Sequence, residues 1–471
     1  MGAEAYGLIG FFSMIQALFN LLDIGITPTV ARESARLKNS TFEIIEFRQL
    51  LFTLEVIFII LAFMGGIFIY LSSSMIAENW LNSSTLTKAT LSKSLQIIAI
   101  IVALRWTCGL YRSVLNGFEY IEWLGKYNAI IATLRYLLII PIIIFFNSDI
   151  IEFFVFQLVV AFLELILIVN KTYHHLPRLT ISIFRNVNLF NLKPLLKFSA
   201  SIAFTSLIWV IVTQLDKLVL SKILPLSEYG FYTLAVLVAN GILVINAPIG
   251  NASIPRMTKL FSENKKHEFY LTYKKITQFI CIAVDSVSIF LFVFAYEVVF
   301  LWTGDSILSN KAAPILQLYC AGNGVLGLTG LPFVLQYANG NLRYHFIGNI
   351  LFSTFLIPSI VFFSVHFGAI GAGYTWFISN LLILFTWTPY IHHKLNPDLN
   401  INWFKHDVFR VIIPMIFVGL IEHLLIPETE SVPLLVSYLV ISASLLLITG
   451  IIFSTYYKYL PQRFIYNLIR K

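Results

Sequence analysis

Four cationic side chains sit inside otherwise apolar stretches of this 471-residue sequence. Arg105 lies near the centre of 95–115 and Arg135 near the centre of 127–146, while Arg112 and Lys217 lie closer to the ends of theirs. An arginine at the middle of a membrane helix costs about 2.5–3.5 kcal/mol on insertion scales, so it ordinarily faces a cavity or a partner. Arg105, Cys108, Arg112 and Asn116 recur at helical spacing and form one polar stripe. A guanidinium fork grips phosphate oxygens through two parallel bonds, which suits it to holding an anion. Ion pairing of Arg105 and Arg135 with Glu55 or Glu164 is the structural alternative, and Arg112 is placed to snorkel to the interface. Lys217 and its neighbour Asp216 fall near the outer end of their stretch, within reach of water. Adjacent residues on a helix are not expected to face each other.

The carboxylates in apolar surroundings are Glu55, Glu164, Asp285 and Glu297. One such acid could load and release a coupling cation, a proton or sodium, and Asp285 is the first candidate. A carboxylate paired with an arginine would instead stay ionised. Asn240, Asn246 and Asn251, with Gly241 and Gly250, make 229–252 unusually polar; close helix packing and a polar cavity wall both fit. His174–His175 and His392–His393 read as solvated loop histidines, and Trp80, Trp302 and Trp403 as interfacial anchors. Cys108, Cys281 and Cys320 have no metal or disulfide spacing, and no metal site is expected. The sequence carries no phosphate-binding loop, nucleophile elbow or dinucleotide turn, so ATP hydrolysis and cofactor chemistry are not expected.

The elements that must position these groups are membrane helices. The chain is 58% hydrophobic and 12% charged, with mean hydropathy +0.82, more apolar surface than a soluble globule can hide. Apolar runs of about 20 residues recur throughout and predict an all-α polytopic membrane protein of about 13 transmembrane helices. They lie near 5–26, 50–71, 95–115, 127–146, 151–170, 198–220, 229–252, 276–301, 315–336, 345–366, 369–391, 408–427 and 433–456. With loop 27–49 in the cytoplasm, the segments on that side, with Arg410 at a span edge, hold 24 of the 32 lysines and arginines, and the opposite loops hold four. One wrong span would destroy this segregation, so the positive-inside rule supports the count and a cytoplasmic C-terminus. The net charge of +8 therefore reports topology, and no nucleic-acid partner is expected.

An internal repeat appears on this background. Glu4-Ala5-Tyr6-Gly7 opens one span and leads to Gly25, Pro28, Arg32 and Arg36. Glu228-Tyr229-Gly230 opens another, about 223 residues later, and leads to Gly250, Pro255, Arg256 and Lys259. Parallel repeats of several helices are a transporter plan. The second copy has a span before it and the first has none, which suggests a first helix missing from this sequence.

The stretch Leu21-Leu22-Asp23-Ile24-Gly25-Ile26-Thr27-Pro28-Thr29, continuing to Ala31-Arg32-Glu33, resembles the second helix of Wzx-type polysaccharide flippases. That family shares a superfamily with MATE exporters and the lipid II flippase MurJ. Gln214-Leu215-Asp216-Lys217, followed by Ser221 and Glu228-Tyr229-Gly230, is similar to the family's link between its seventh and eighth helices. The resemblance implies two parallel-repeat lobes around a central cavity, 1–197 with five spans visible and 198–407. It adds two C-terminal helices and a basic cytoplasmic tail at 408–471, in the inner membrane of a bacterium. It implies alternating-access transfer of undecaprenyl-pyrophosphate-linked oligosaccharide from the cytoplasmic to the periplasmic leaflet. A proton or sodium gradient would drive it, with a polysaccharide polymerase or assembly proteins as partners.

On that reading Arg105, Arg135, Arg112 and Lys217 would hold the headgroup, and Asn240, Asn246 and Asn251 would face sugar. Asp285, Glu55, Glu164 and Glu297 would be the ion-coupling candidates. A cation-coupled drug exporter of the same superfamily is the alternative, though it should prefer acids where this chain has Arg105 and Arg135. A membrane glycan polymerase or glycosyltransferase is a third. The longest external loop, 72–94, offers Glu78 as its one acid, so an enzyme is not expected.

Overall fold

The computed structural model describes residues 2–23, 25–36, 41–146, 149–176, 192–395, 399–426 and 431–457. Most of the basic loop 171–197 and nearly all of the basic tail lie outside the described residues. Among the described residues the chain is helical, with one isolated bridge between Asn82 and Pro225 as its β-type pairing. It divides into two compact units, Met1–Gly230 and Phe231–Lys471.

In the first unit the order is α1 (Ala3–Phe19), α2 (Ile26–Arg36), α3 (Thr41–Asn79), α4 (Lys88–Gly117), α5 (Ile121–Ala132), α6 (Ile139–Phe146), α7 (Ile150–His175) and α8 (Leu192–Ile223). The start of α9 (Leu226–Ser262) also belongs to it. Helix α4 is the hub, packed on α2, α3 and α7. Thr87 caps it by accepting from the Thr90 amide at 3.1 Å. Asp149 and Glu152 form a reciprocal capping box that starts α7. A π-helical segment, Thr133–Leu137, separates α5 from α6 and carries Arg135. Such segments shift side-chain register within a helix and recur at functional positions.

The two glycines of the sequence repeat meet in this unit. A Cβ on Gly230 would fall 2.3 Å from the Ala3 carbonyl oxygen, and one on Gly7 would fall 2.2 Å from that of Leu226. Only glycine lets the two helix starts approach so closely. Beside this crossing, Glu4 is buried and accepts six hydrogen bonds of 2.6–3.0 Å from Ser83, Ser84, Thr85 and Leu86. The loop before α4 is thereby tied to the start of α1.

The second unit continues with α10 (Lys266–Ile280), α11 (Ser286–Val293), α12 (Ala295–Thr303), α13 (Ser306–Thr329), α14 (Leu331–Ala338) and α15 (Arg343–Leu382). It ends with α16 (Thr388–Leu395), α17 (Asn400–Asn402), α18 (Arg410–Leu424) and α19 (Val432–Phe453). Helix α13 is central, packed on α11, α12 and α15, and α18 and α19 pack on each other and on α11. Three further π-helical segments interrupt this unit: Cys281–Asp285, Ile383–Trp387 and Trp403–Phe409.

Nine stretches of the described residues are long and apolar enough to cross a bilayer. One of them, Arg343–Leu395, has 53 residues. At 1.5 Å per residue it would extend about 80 Å, far beyond a hydrocarbon core of roughly 30 Å. It turns at Gly368, whose φ of 60° only glycine adopts readily, between the expected spans 345–366 and 369–391. The other expected spans outside the nine are 127–146, broken by its π-helical segment, 198–220 within α8, and 408–427, which contains α18. The expected span 276–301 is broken at Phe294, between α11 and α12. The protein is a multi-pass, all-helical membrane protein.

Two expectations about interfacial side chains are corrected. Trp403 is no surface anchor: it is fully buried and donates from Nε1 to Thr277 Oγ1 at 2.8 Å. His392 is no loop histidine: it lies buried on α16, 2.8 Å from the Tyr273 hydroxyl. Both belong to a packed aromatic group with Tyr273, in which the Trp403 Nε1–H and one His392 ring nitrogen find partners inside the protein.

Candidate functional site

Three arginines of the first unit converge on one carboxylate. Arg105 and Arg112 project from α4, two turns apart, Arg135 from the π-helical segment, and Glu164 from α7. Arg105 Nε lies 3.8 Å from Glu164, Arg112 Nη2 lies 3.3 Å from it, and Arg135 pairs with it in direct contact. The Glu164 side chain is 3% exposed; those of Arg105, Arg135 and Arg112 are 6%, 16% and 41% exposed. The cluster is therefore buried at one end and open at Arg112.

Glutamines complete the cluster. Arg105 donates to Gln157 Oε1 at 2.6 Å and to Gln16 Oε1 at 3.3 Å, and Gln157 Nε2 donates to the Arg135 carbonyl at 3.0 Å. The Arg105 guanidinium also sits over the Phe12 ring, 5.4 Å from its centroid. Tyr127 donates to the Glu164 carbonyl at 2.9 Å and packs among Cys108, Tyr111 and Ile168. Three cations face one anion, and a guanidinium carries five N–H donors. The buried Nε atoms of Arg105, Arg112 and Arg135 have no hydrogen-bond acceptor. Such a cluster lacks negative charge and lacks acceptor oxygens, and a multi-oxygen anion supplies both.

The sequence singles out the three arginines and offers Glu164 as a partner for Arg105 and Arg135; Arg112, expected to snorkel, is part-exposed yet pairs with Glu164 as well, and Gln157 and Gln16 go unmarked. Gln157 stands two turns from Glu164 on α7, a polar pair on one face of an apolar helix, and that spacing was the available signal.

The remaining candidates lie elsewhere. Lys217 pairs with Asp216 at 3.6 Å and donates to the Thr213 carbonyl, and Asp216 is buried. The expectation of a solvated, non-interacting pair is corrected: the long lysine side chain folds back along its own helix to reach its neighbour. Glu55 does not pair with Arg105 or Arg135; both its oxygens accept from Tyr173 at 2.7 Å. Asn240 and Asn246 are half-buried on α9, and Asn251 is exposed. Asn323, which sequence reasoning passed over, is buried on α13, donating to the Ala239 carbonyl at 2.8 Å and accepting from Trp376 at 2.9 Å. Asp285 is buried in the second unit, and Glu297 is half-buried at the start of α12. Among the described residues no group of three or more His, Cys, Asp or Glu side chains is arranged to hold a metal ion.

Comparison with known proteins gives consistent relatives. Residues 1–261 match the family model described as polysaccharide biosynthesis protein. A Shigella flexneri protein named "Putative O-antigen transporter" is 23% identical over 399 residues, covering 82% of this chain and 90% of that protein. Among solved structures, the lipid II flippase MurJ in an inward closed conformation aligns with a TM-score of 0.67 at 16% identity, over 96% of each chain. An inward-facing multidrug resistance transporter of the MATE family, in the MOP superfamily, aligns with a TM-score of 0.66 at 13% identity, over 83% of this chain and 91% of its own.

Proposed function

This chain belongs to the polysaccharide biosynthesis protein family, and from that premise we propose that it flips undecaprenyl-pyrophosphate-linked oligosaccharide from the cytoplasmic to the periplasmic leaflet by alternating access. The family and the relatives indicate a membrane transporter rather than an enzyme. The observation that carries the cargo class is the buried excess of cation at Arg105, Arg112 and Arg135 over Glu164.

Moving a glycolipid headgroup through hydrocarbon requires the pyrophosphate to be matched by charge, because an unpaired ion there costs several kcal/mol or more. A pyrophosphate joined at both ends carries two negative charges, the difference between three arginines and one glutamate. Its oxygens would accept from the guanidinium donors that have no acceptor now. The polyprenyl tail can remain in lipid throughout. A carrier of organic cations would have the opposite requirement, with acids in place of these arginines. The protein acts in this reading in the inner membrane of a bacterium with its C-terminus in the cytoplasm. It would hand its cargo to polysaccharide polymerase or assembly proteins.

The test is deletion in the native bacterium, with complementation by wild type or by stably inserted Arg105→Ala and Arg135→Ala variants. Lipid-linked repeat units should accumulate on the cytoplasmic side and be cleared by wild type alone. Unchanged surface glycan, with no accumulated intermediate in a strain lacking a second flippase, would shift the reading to drug export.

A further inference from the structure

Polar residues recur at every seventh position along α7: Gln157, Glu164 and Lys171. A seven-residue step is close to two helical turns, so the three share one face. Gln157 and Glu164 serve the arginine cluster. Lys171 stands one step further, about 10 Å along the helix axis at 1.5 Å per residue. It opens the basic loop that the charge distribution assigns to the cytoplasm.

Lys171 is half-buried, and its ammonium lies over two rings, 5.6 Å from the Tyr120 centroid and 5.4 Å from that of Trp123. Both rings are themselves anchored. Tyr120 stacks on His175 at 4.3 Å, with its hydroxyl 3.0 Å from His175 Nδ1. Trp123 stacks on Tyr127 at 5.0 Å, and Tyr127 donates to the Glu164 carbonyl. The clamp around Lys171 and the arginine cluster therefore share Tyr127 as a wall.

Aromatic faces attract a cation, but they offer no acceptor oxygen to the three N–H groups of an ammonium. Among the described residues no carboxylate pairs with Lys171 and no oxygen accepts from its Nζ. Glu122, on α5 beside Trp123, pairs instead with Lys126 at 2.7 Å. His175 Nε2 is also buried without a partner. A lysine that snorkels simply extends into water. This one is held in place with its donors unused, and a phosphate group supplies both the charge and the oxygens it lacks.

We propose that Lys171, clamped by Tyr120 and Trp123, is an entry station for the pyrophosphate of the lipid-borne headgroup, which Arg112 then draws into the arginine cluster. The inference rests on the transport reading above and adds a second anion site to it. Arg112 suits the transfer because it is the most exposed arginine of the cluster and lies on the cytoplasmic side of Arg105. No bond is made or broken; the anion exchanges one set of donors for the next.

Association of a short-chain polyprenyl pyrophosphate with the full-length chain in phosphatidylcholine nanodiscs tests this. Lys171→Met keeps the unbranched stem beside the rings and removes the charge. It should slow association by about tenfold, as expected for one charge-assisted hydrogen bond, while melting stays near wild type. Tyr120→Leu should slow association in part, because the charge remains but is no longer held. In Arg105→Ala/Arg135→Ala weak binding should persist, and adding Lys171→Met should abolish it. Wild-type association in a folded Lys171→Met, or weak binding that survives in the triple variant, would overturn the station. Phosphatidylglycerol that occupies it as tightly as the pyrophosphate would overturn it too, by making it a site for ordinary phospholipid. Binding requires no transport. A station that behaves as expected, in a chain whose deletion leaves lipid-linked sugars unchanged, would overturn the transport reading alone.

Discussion

Glu164 allows three guanidiniums to share one place inside an apolar unit. Replacing it with the isosteric Gln removes the single negative charge and leaves Arg105 and Arg135 buried without a counter-ion. Stripping one partner from a buried ion pair costs about 3–5 kcal/mol, so thermal melting of purified Glu164→Gln should fall well below wild type. Arg112→Ala should melt close to wild type, because its side chain is 41% exposed and loses little on being freed. Equal melting of wild type and Glu164→Gln would mean that the arginines do not depend on the carboxylate. The arginines were legible in sequence because a charge inside an apolar run has few explanations. Gln157 was not, since a neutral amide in a long helix raises no comparable demand until its partners are seen.

The π-helical segments are the elements that sequence periodicity could not reveal. One extra residue in a turn barely disturbs a hydrophobic pattern, yet Arg135, Asp285 and Asp407 all lie in such segments. Apolar length and loop charge, by contrast, marked most helices and the turn at Gly368. Trp403 and His392 were misplaced because a Trp or His near a span end looks interfacial until the helix opposite is known to cover it. The segment containing Asp407 is fastened by Gln278, which donates to the His406 carbonyl and to Asp407 and accepts from the Thr455 amide at 2.8 Å.

Burial raises the Asp407 carboxyl from the usual 3.8 to about 6, against the opposing pull of Lys274. The folded state therefore holds a proton that the unfolded chain has already lost. Stability is greatest below 3.8, falls as pH rises to about 6, and is level above that. Melting temperature followed across this range should show the decline in wild type and lack it in Asp407→Asn. A slope retained in the variant would assign it to another group.

At the scale of the molecule, each unit holds a buried polar group of its own: three arginines around one glutamate in the first, and Asp285 and Asp407 with unpartnered oxygens in the second. Neither unit stabilises itself by these groups, since a well-packed apolar core of the same volume would serve folding as well or better. The arginine cluster is what the proposed transport of an anionic headgroup would require.

The most direct measurement is transbilayer movement of a fluorescent polyprenyl-pyrophosphate oligosaccharide in proteoliposomes of the purified chain, read by the fraction accessible to an external quencher. Wild type should accelerate movement over protein-free vesicles, and Arg105→Ala/Arg135→Ala, inserted in equal amount, should lose the acceleration. Movement in wild-type vesicles no faster than in empty ones, or undiminished in the double variant, would contradict a pyrophosphate held by the arginine cluster.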